Sequence, residues 1–517
     1  MLQSKGIPAY GMPRIDTPGQ LPELPKMPPP PGNMPGMPKM KSPTGDNRNQ
    51  PSPPRMDPRK DPDAVPGGDI EPGAKAGPGF PGGGPPKTPP FDREESIDII
   101  DGKYIPCQEP YAIWTGTLSD REMRDADYRT DAPCLNGIYI GGDSRYTIQN
   151  CKFIMEGHGI NDFAGIGSAI MTDGTSQVEI ADTVVETTGA IRPCIAANGT
   201  SVVRLKNCRL HAAGGPLPEG YVPRIAAGMM EPPSGLGIGG TCRASVLLGG
   251  AKMYYDHCEI SADGWGALST DSDAPGKYLQ CDDCKVWVHD SGYAIFGDGA
   301  VECVMNRCDI AVKDYVSMAG ASSTIRYHDC DIRSGRFGAM VFGSGAYRVP
   351  QTWFRGGSLQ TEEAAVYLKG TNAYVSMDGV QVTTGKYLVH TIVDDDLFQE
   401  VLSEELCFQT YGMKVALANM TVTGDIVHEE IRRHLAVSMD HVKLTGVIQN
   451  AHLSMKDSLW YATGDSTVVL IGAVDVGAMD APQGVTIRAV PGEGCMLDGS
   501  HVLPSGGRLV IVKTDET

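Results

Sequence analysis

From about Tyr104 onward, apolar and polar residues alternate in short runs broken by Gly, Asn and Asp. A two-residue period is the signature of strands with one buried face. Within it a phrase recurs: polar residues, usually cysteine, a polar residue, then an aliphatic or aromatic one. It reads Asn150-Cys151-Lys152-Phe153, Asn207-Cys208-Arg209-Leu210, His257-Cys258-Glu259-Ile260, Asp283-Cys284-Lys285-Val286, Arg307-Cys308-Asp309-Ile310 and Asp329-Cys330-Asp331-Ile332. From Cys258 the steps are 26, 24 and 22 residues. Asp182-Thr183-Val184, Gly357-Ser358-Leu359 and Gly379-Val380-Gln381 keep the beat without cysteine. Such a period predicts an all-β solenoid of about 13 coils, one coil per repeat. A single coil cannot bury its inward face, so coils must stack, about 4.8 Å apart. The cysteines then form an internal ladder of small, apolar side chains.

The first 95 residues follow a different pattern. They hold 25 of the 39 prolines and almost no alternating apolar positions. A segment that buries so little is expected to be a disordered or extended Pro/Gly/Met-rich tail. The expected organisation is therefore a tail over 1–95 and a β-solenoid domain over 96–517. Two insertions interrupt the coils. One spans about 211–242, long enough for a lid or binding loop. The other spans about 394–408, where Leu397, Val401 and Leu402 at three-to-four spacing predict a helix. Ser119-Asp120-Arg121-Glu122 matches a capping box and predicts a short surface helix after it. Val468 to Val512 is expected to close the last coil.

Charge narrows the partners. The tail carries 12 Lys+Arg against 11 Asp+Glu, so the net charge of −19 sits on the solenoid. Such a body disfavours nucleic acid, whose binding depends on neutralising phosphates. No stretch is long and apolar enough for a membrane span, and the N terminus shows no signal segment. With six of fourteen cysteines in one column, reduced thiols and a cytoplasmic location are expected. Cys281-Asp282-Asp283-Cys284 lacks two further ligands at zinc spacing. No nucleotide, flavin or P-loop motif is present, so no cofactor is expected apart from calcium as a candidate. The tail is a candidate attachment for a protein partner or for homo-oligomerisation.

The corners that follow the ladder strands carry the candidate chemistry. They read Glu156-Gly157-His158-Gly159-Ile160-Asn161-Asp162, Asp263-Gly264-Trp265-Gly266, His289-Asp290-Ser291-Gly292-Tyr293, Lys313-Asp314-Tyr315 and Arg336-Phe337-Gly338. Stacking should align Trp265, Tyr293, Tyr315 and Phe337 as an aromatic wall of an open groove, roofed by the 211–242 insertion. An aromatic wall beside ionisable groups suits a sugar-like or other cyclic hydroxylated substrate. His158 or His289 would be the base and Tyr293 the acid, with Asp263 and Asp271 orienting them. Trp265 would be the stacking platform, with Asp162, Tyr315, Lys313 and Arg336 binding substrate. Asp271 and Asp273 are candidates for calcium, a hard cation that takes carboxylate oxygens.

The coil pattern over about residues 104–480 resembles the right-handed parallel β-helix superfamily of pectate lyases and polygalacturonases. Gly157-His158-Gly159 looks like the Gly-His-Gly of polygalacturonases. Asp282-Asp283 here follows that triplet instead of preceding it, and Ser269-Thr270-Asp271 is the nearest counterpart of an Asn-Thr-Asp. Asp263 to Asp271 is similar to a phrase in uncharacterised bacterial β-helix proteins. The resemblance implies a right-handed parallel β-helix. Three functions follow as expectations: a cofactor-free lyase or isomerase working by proton abstraction, a non-catalytic scaffold or glycan-binding rod, and a polygalacturonase-like hydrolase.

Overall fold

The computed structural model describes residues 97–106, 112–223, 228–271, 274–320, 322–342, 349–370, 372–393, 412–430 and 433–512. The tail, the 394–408 insertion and Asp273 lie outside the described residues. Among the described residues there is no α-helix, only strands and short 3-10 turns. No helix there is long and apolar enough to cross a membrane. The chain winds as a parallel β-helix with three columns of strands.

The first column runs through Arg145–Gln149, Gln177–Ala181, Val202–Lys206, Lys252–Asp256, Lys277–Asp282, Val301–Asn306 and onward. Each strand pairs in parallel, residue for residue, with its neighbours. Ile148, Ile180, Leu205, Tyr255, Cys281 and Met305 therefore stack inside, all buried. Farther along the column, Tyr327 and Phe354 stack at 4.8 Å.

A one-residue corner leads to the second column, and seven coils make it alike. Asn150, Asp182, Asn207, His257, Asp283, Arg307 and Asp329 all lie at φ between 50° and 53°. Asn and Asp tolerate this left-handed conformation better than other non-glycine residues, which explains the polar residue before each cysteine. The corner residues also tie coil to coil, as Asn150 Nδ2 donates to Asp125 Oδ1 at 2.6 Å and Arg307 forks onto Asp283 at 2.9 and 2.7 Å.

The cysteine that follows points inward, as expected, and each described cysteine is a free thiol. Its position asks for more than a small apolar group. Cys284 Sγ contacts the Asp282 carbonyl at 3.2 Å and accepts from the Cys258 amide at 3.4 Å. Thr183 and Ser458 make the same pair of contacts with a hydroxyl. Burial pushes the Cys281 thiol up to about 11 and the Cys303 thiol up to about 12, so these thiols stay protonated.

The third column includes Ile138–Gly141, Ile170–Thr172, Ile195–Ala197, Cys242–Leu247, Tyr315–Ala319 and Phe337–Phe342. In two coils the second and third columns join as one bent strand, Glu259–Thr270 and Lys285–Gly297, whose pairing register shifts between Ala262 and Gly264. The helix expected after Ser119 is absent. Thr117–Leu118 and Glu122–Arg124 form an antiparallel hairpin instead. Ser119 Oγ does accept from the Glu122 amide at 3.2 Å, the bond a capping box would make, but here it closes a turn. Met123, fully buried and paired with Ile148 of the next coil, gains more from the core than from a solvated helix. At the far end Arg508–Ile511 finishes the first column, flanked by antiparallel Ser500–Val502.

Candidate functional site

The corner between the second and third columns is where the sequence placed an open aromatic wall. The structure corrects this in two ways. Tyr293, Tyr315 and Phe337 do share a register row, and Tyr315 and Phe337 stack at 5.3 Å. Trp265 is one residue out of that row, because Gly266 is the partner of Tyr293. A Cβ at Gly266 would fall 2.1 Å from the Tyr293 ring, so the phenol occupies the space that the glycine leaves.

The row is also covered. Met230, Leu236 and Ile238 of the 211–242 insertion pack with Trp265, Tyr293, Tyr315 and Phe337 in a second apolar core. The insertion is tied down at Leu236 and Gly239. Tyr315 Oη donates to the Leu236 carbonyl at 3.1 Å, Gly239 N–H to Ser291 Oγ at 2.8 Å, and Trp265 N–H to the Gly239 carbonyl at 2.6 Å. Arg336 joins this frame through Glu363 at 2.9 Å and Asp314 at 3.6 Å. The physical reason is area: four large rings facing water would expose a patch that the insertion buries.

Beneath the insertion lies a group that the sequence reading missed. Arg243, fully buried, pairs through Nε with Asp162 Oδ2 at 2.9 Å and through Nη1 with Asp271 Oδ2. Its guanidinium sits 4.5 Å from the Phe163 ring centre and 5.1 Å from that of Trp265. Tyr293 Oη shares a hydrogen bond with Ser269 at 2.8 Å beside it. Burial raises the Asp162 carboxyl against the pull of Arg243, and burial likewise raises the Tyr293 phenol. Asp162, Asp271, Trp265 and Tyr293 are thus brought together, around an arginine that consumes both carboxylates. Asp271 spends an oxygen on a guanidinium, so a calcium ion there would have to displace it. A glycoside hydrolase needs two carboxyl groups flanking a scissile bond, an arrangement that two oxygens on one buried arginine do not offer.

His158 has separate surroundings. It lies half-buried in the loop after Lys152–Glu156, where burial, then the charge of Arg192, holds its imidazole below the usual range. Arg192 is itself buried on the carbonyls of Leu135 and Ala132.

The exposed chemistry lies on the outer face of the second column. His211, Ser261, Trp287 and Ala311 are register partners across four coils. Asp263 and His289 stand two residues further on, and Lys313 is exposed in the coil beyond. Ligand atoms of His211, Asp263 and His289 lie within 4.8 Å of one another. His211 Nδ1 is 2.9 Å from Ser261 Oγ, while its Nε2 is 3.8 Å from Asp263 Oδ1. The His211 and His289 rings meet edge to face at 6.0 Å. The Trp287 indole is half-buried, with the Lys285 ammonium 5.7 Å from its ring centre. Among the described residues a second such cluster is Asp440, His441 and Asp457, but there Asp440 already holds His441 at 2.7 Å and Lys456 at 3.1 Å.

Of the residues singled out from sequence, His289 and Asp263 therefore meet on this face, and Trp265, Tyr293, Asp162 and Asp271 meet beneath the insertion. His158 sits beside Arg192. His211, Trp287 and Arg243 were missed. The signal for Arg243 was a lone charge within Cys242-Arg243-Ala244-Ser245-Val246. The signal for the other two was the repeat itself: His211, Ser261 and Trp287 each stand three residues after a ladder cysteine.

No protein-family model matches the chain, and no curated protein matches it. Among solved structures, the tailspike protein gp49 from Pseudomonas phage LKA1 matches at 11% identity and a TM-score of 0.27. That match covers 69% of this chain and 54% of the tailspike chain, so the chain spans about half the length of that protein.

Proposed function

We propose that the protein binds a sugar-like or other cyclic hydroxylated compound on the outer face of the second column and acts on it by proton abstraction, as a lyase or isomerase. The observation that carries this is the convergence of His211, Asp263 and His289 on an exposed face beside the Trp287 indole. An indole face takes the apolar side of a sugar ring, and imidazole and carboxylate side chains are groups that general acid/base work uses. The platform role passes from Trp265, which is buried, to Trp287. Tyr293 and Trp265 become the frame that fixes the corner from which Asp263 projects. The free thiols support a reducing compartment such as the cytoplasm.

The test is a panel of neutral and uronic sugars, scored for binding by calorimetry and for exchange of ring C–H protons in heavy water by NMR. Trp287→Ala should weaken binding about tenfold or more with only a small change in melting temperature. Equal binding by the variant, or no sugar bound by the native protein, would remove the proposal. Binding without exchange or product would leave the glycan-binding rod in its place.

A further inference from the structure

We infer that His211, Asp263 and His289 form a site for one divalent transition-metal ion, of which zinc is the natural probe. The inference deepens the proposed function and rests on the same face. Two imidazoles and a carboxylate are a ligand set that suits zinc or iron, with positions left open for water or substrate.

Three observations favour coordination over an ion pair. The ligand atoms of all three side chains lie within 4.8 Å of one another, from three successive coils. The separation of His211 Nε2 from Asp263 Oδ1, 3.8 Å, is too long for a hydrogen bond. It is close to the roughly 3.3 Å edge of a tetrahedron with bonds of about 2.0–2.1 Å, so a small rotation of either side chain would complete it. The ring of His211 is also held in place, with Nδ1 2.9 Å from Ser261 Oγ. In the tautomer that donates this bond, Nε2 keeps its lone pair 3.8 Å from Asp263 Oδ1. Orientation of a ligating imidazole by a hydrogen bond at its other nitrogen is the usual support of a metal-bound histidine. The buried Cys281 and Cys303 thiols of the first column, kept protonated, do not compete for the ion.

With the ion bound, both imidazoles are ligands and neither is the base. A bound ion would lower the pKa of a water it held, and the hydroxide left when that water ionised would be the proton acceptor of the proposed reaction.

The experiment is calorimetric titration of the full chain with Zn²⁺, paired with the visible absorption spectrum of the Co²⁺-loaded protein. One equivalent should bind at micromolar or tighter affinity, with a cobalt spectrum of low-coordinate intensity. His211→Ala and His289→Ala should each weaken binding about a hundredfold and abolish that spectrum. His441→Ala, in the second cluster, should leave both unchanged, and metal-free melting temperatures should match across the set. Ser261→Ala should weaken binding about tenfold through His211 alone. Stoichiometric binding that survives both His211→Ala and His289→Ala, or no stoichiometric binding by the native chain, overturns the site. Loss of the metal site with sugar binding still dependent on Trp287 would defeat this inference and leave the proposed function. Metal bound without any sugar ligand would do the reverse.

Discussion

Replacing Arg243 by methionine tests whether the buried charge cluster is held by its arginine. The side chain is almost fully shielded, Asp162 is completely so, and the Asp271 side chain is about one-tenth exposed. Arg243→Met keeps an apolar stem against Phe163 and Trp265 but removes the only cation paired with either carboxylate among the described residues. Breaking a buried pair from one side costs about 3–5 kcal/mol, because the remaining charge has no solvent and no partner. The loss should depend on pH in a defined direction. Burial already raises the Asp162 carboxyl in the folded protein, and the charge of Arg243 is the main influence opposing that rise. Without Arg243 the folded carboxyl rises further above its unfolded value. A raised carboxyl stabilises the fold below its unfolded pKa and loses that contribution as pH climbs through the folded one. The variant should therefore fall furthest behind the native protein at about pH 7.5 and recover much of the gap at about pH 5. Urea unfolding followed by tryptophan fluorescence at both values is the assay. A second arm, Asp162→Asn/Arg243→Met/Asp271→Asn, should regain most of the stability at neutral pH, since a neutral set of similar volume carries no buried charge. A loss under about 1 kcal/mol, or a deficit that widens in acid, would refute the reasoning.

Further outcomes follow from the packing. Trp265→Ala should cost about 3–5 kcal/mol in thermal or urea denaturation, because it empties a buried site between the insertion and Arg243, whereas Trp287→Ala on the outer face should cost far less. Cys284→Ser should cost less than about 1 kcal/mol in the same assay, since Thr183 and Ser458 fill equivalent positions with hydroxyls. Cys284→Ala should cost about 1–3 kcal/mol by leaving the Cys258 amide without its acceptor. Gly266→Ala should destabilise by about 1–3 kcal/mol, as its methyl meets the Tyr293 ring, and calorimetric melting would detect the drop.

The repeat determined the architecture. A coil's inward positions and its corner residue are set by local chemistry that recurs every turn: a polar residue able to take a left-handed φ, a small side chain with a donor, then alternation. These are legible because each coil states them again, and the ladder from Cys151 to Cys330 lies where the pattern put it. The 211–242 insertion was legible as a break in the beat, but its partner was not. Only the stacked coils show that Met230, Leu236 and Ile238 meet Tyr293, Tyr315 and Phe337, which turns an expected groove into a core. The Ser119 turn shows the same limit at short range, because one serine-to-amide bond fits a helix start or a hairpin and Met123's place in the core chooses. Candidate site residues divide likewise. Asp263 and His289 were legible because both sit in the corners that follow ladder strands, while Arg243 is separated from Asp162 by 81 residues and from Asp271 by 28. Electrostatic pairing acts through space and leaves no period in the sequence. The sequence by itself thus determined what each coil contains, and the tertiary stacking decided which side chains of different coils, loops and insertions face water, face one another, or are sealed away.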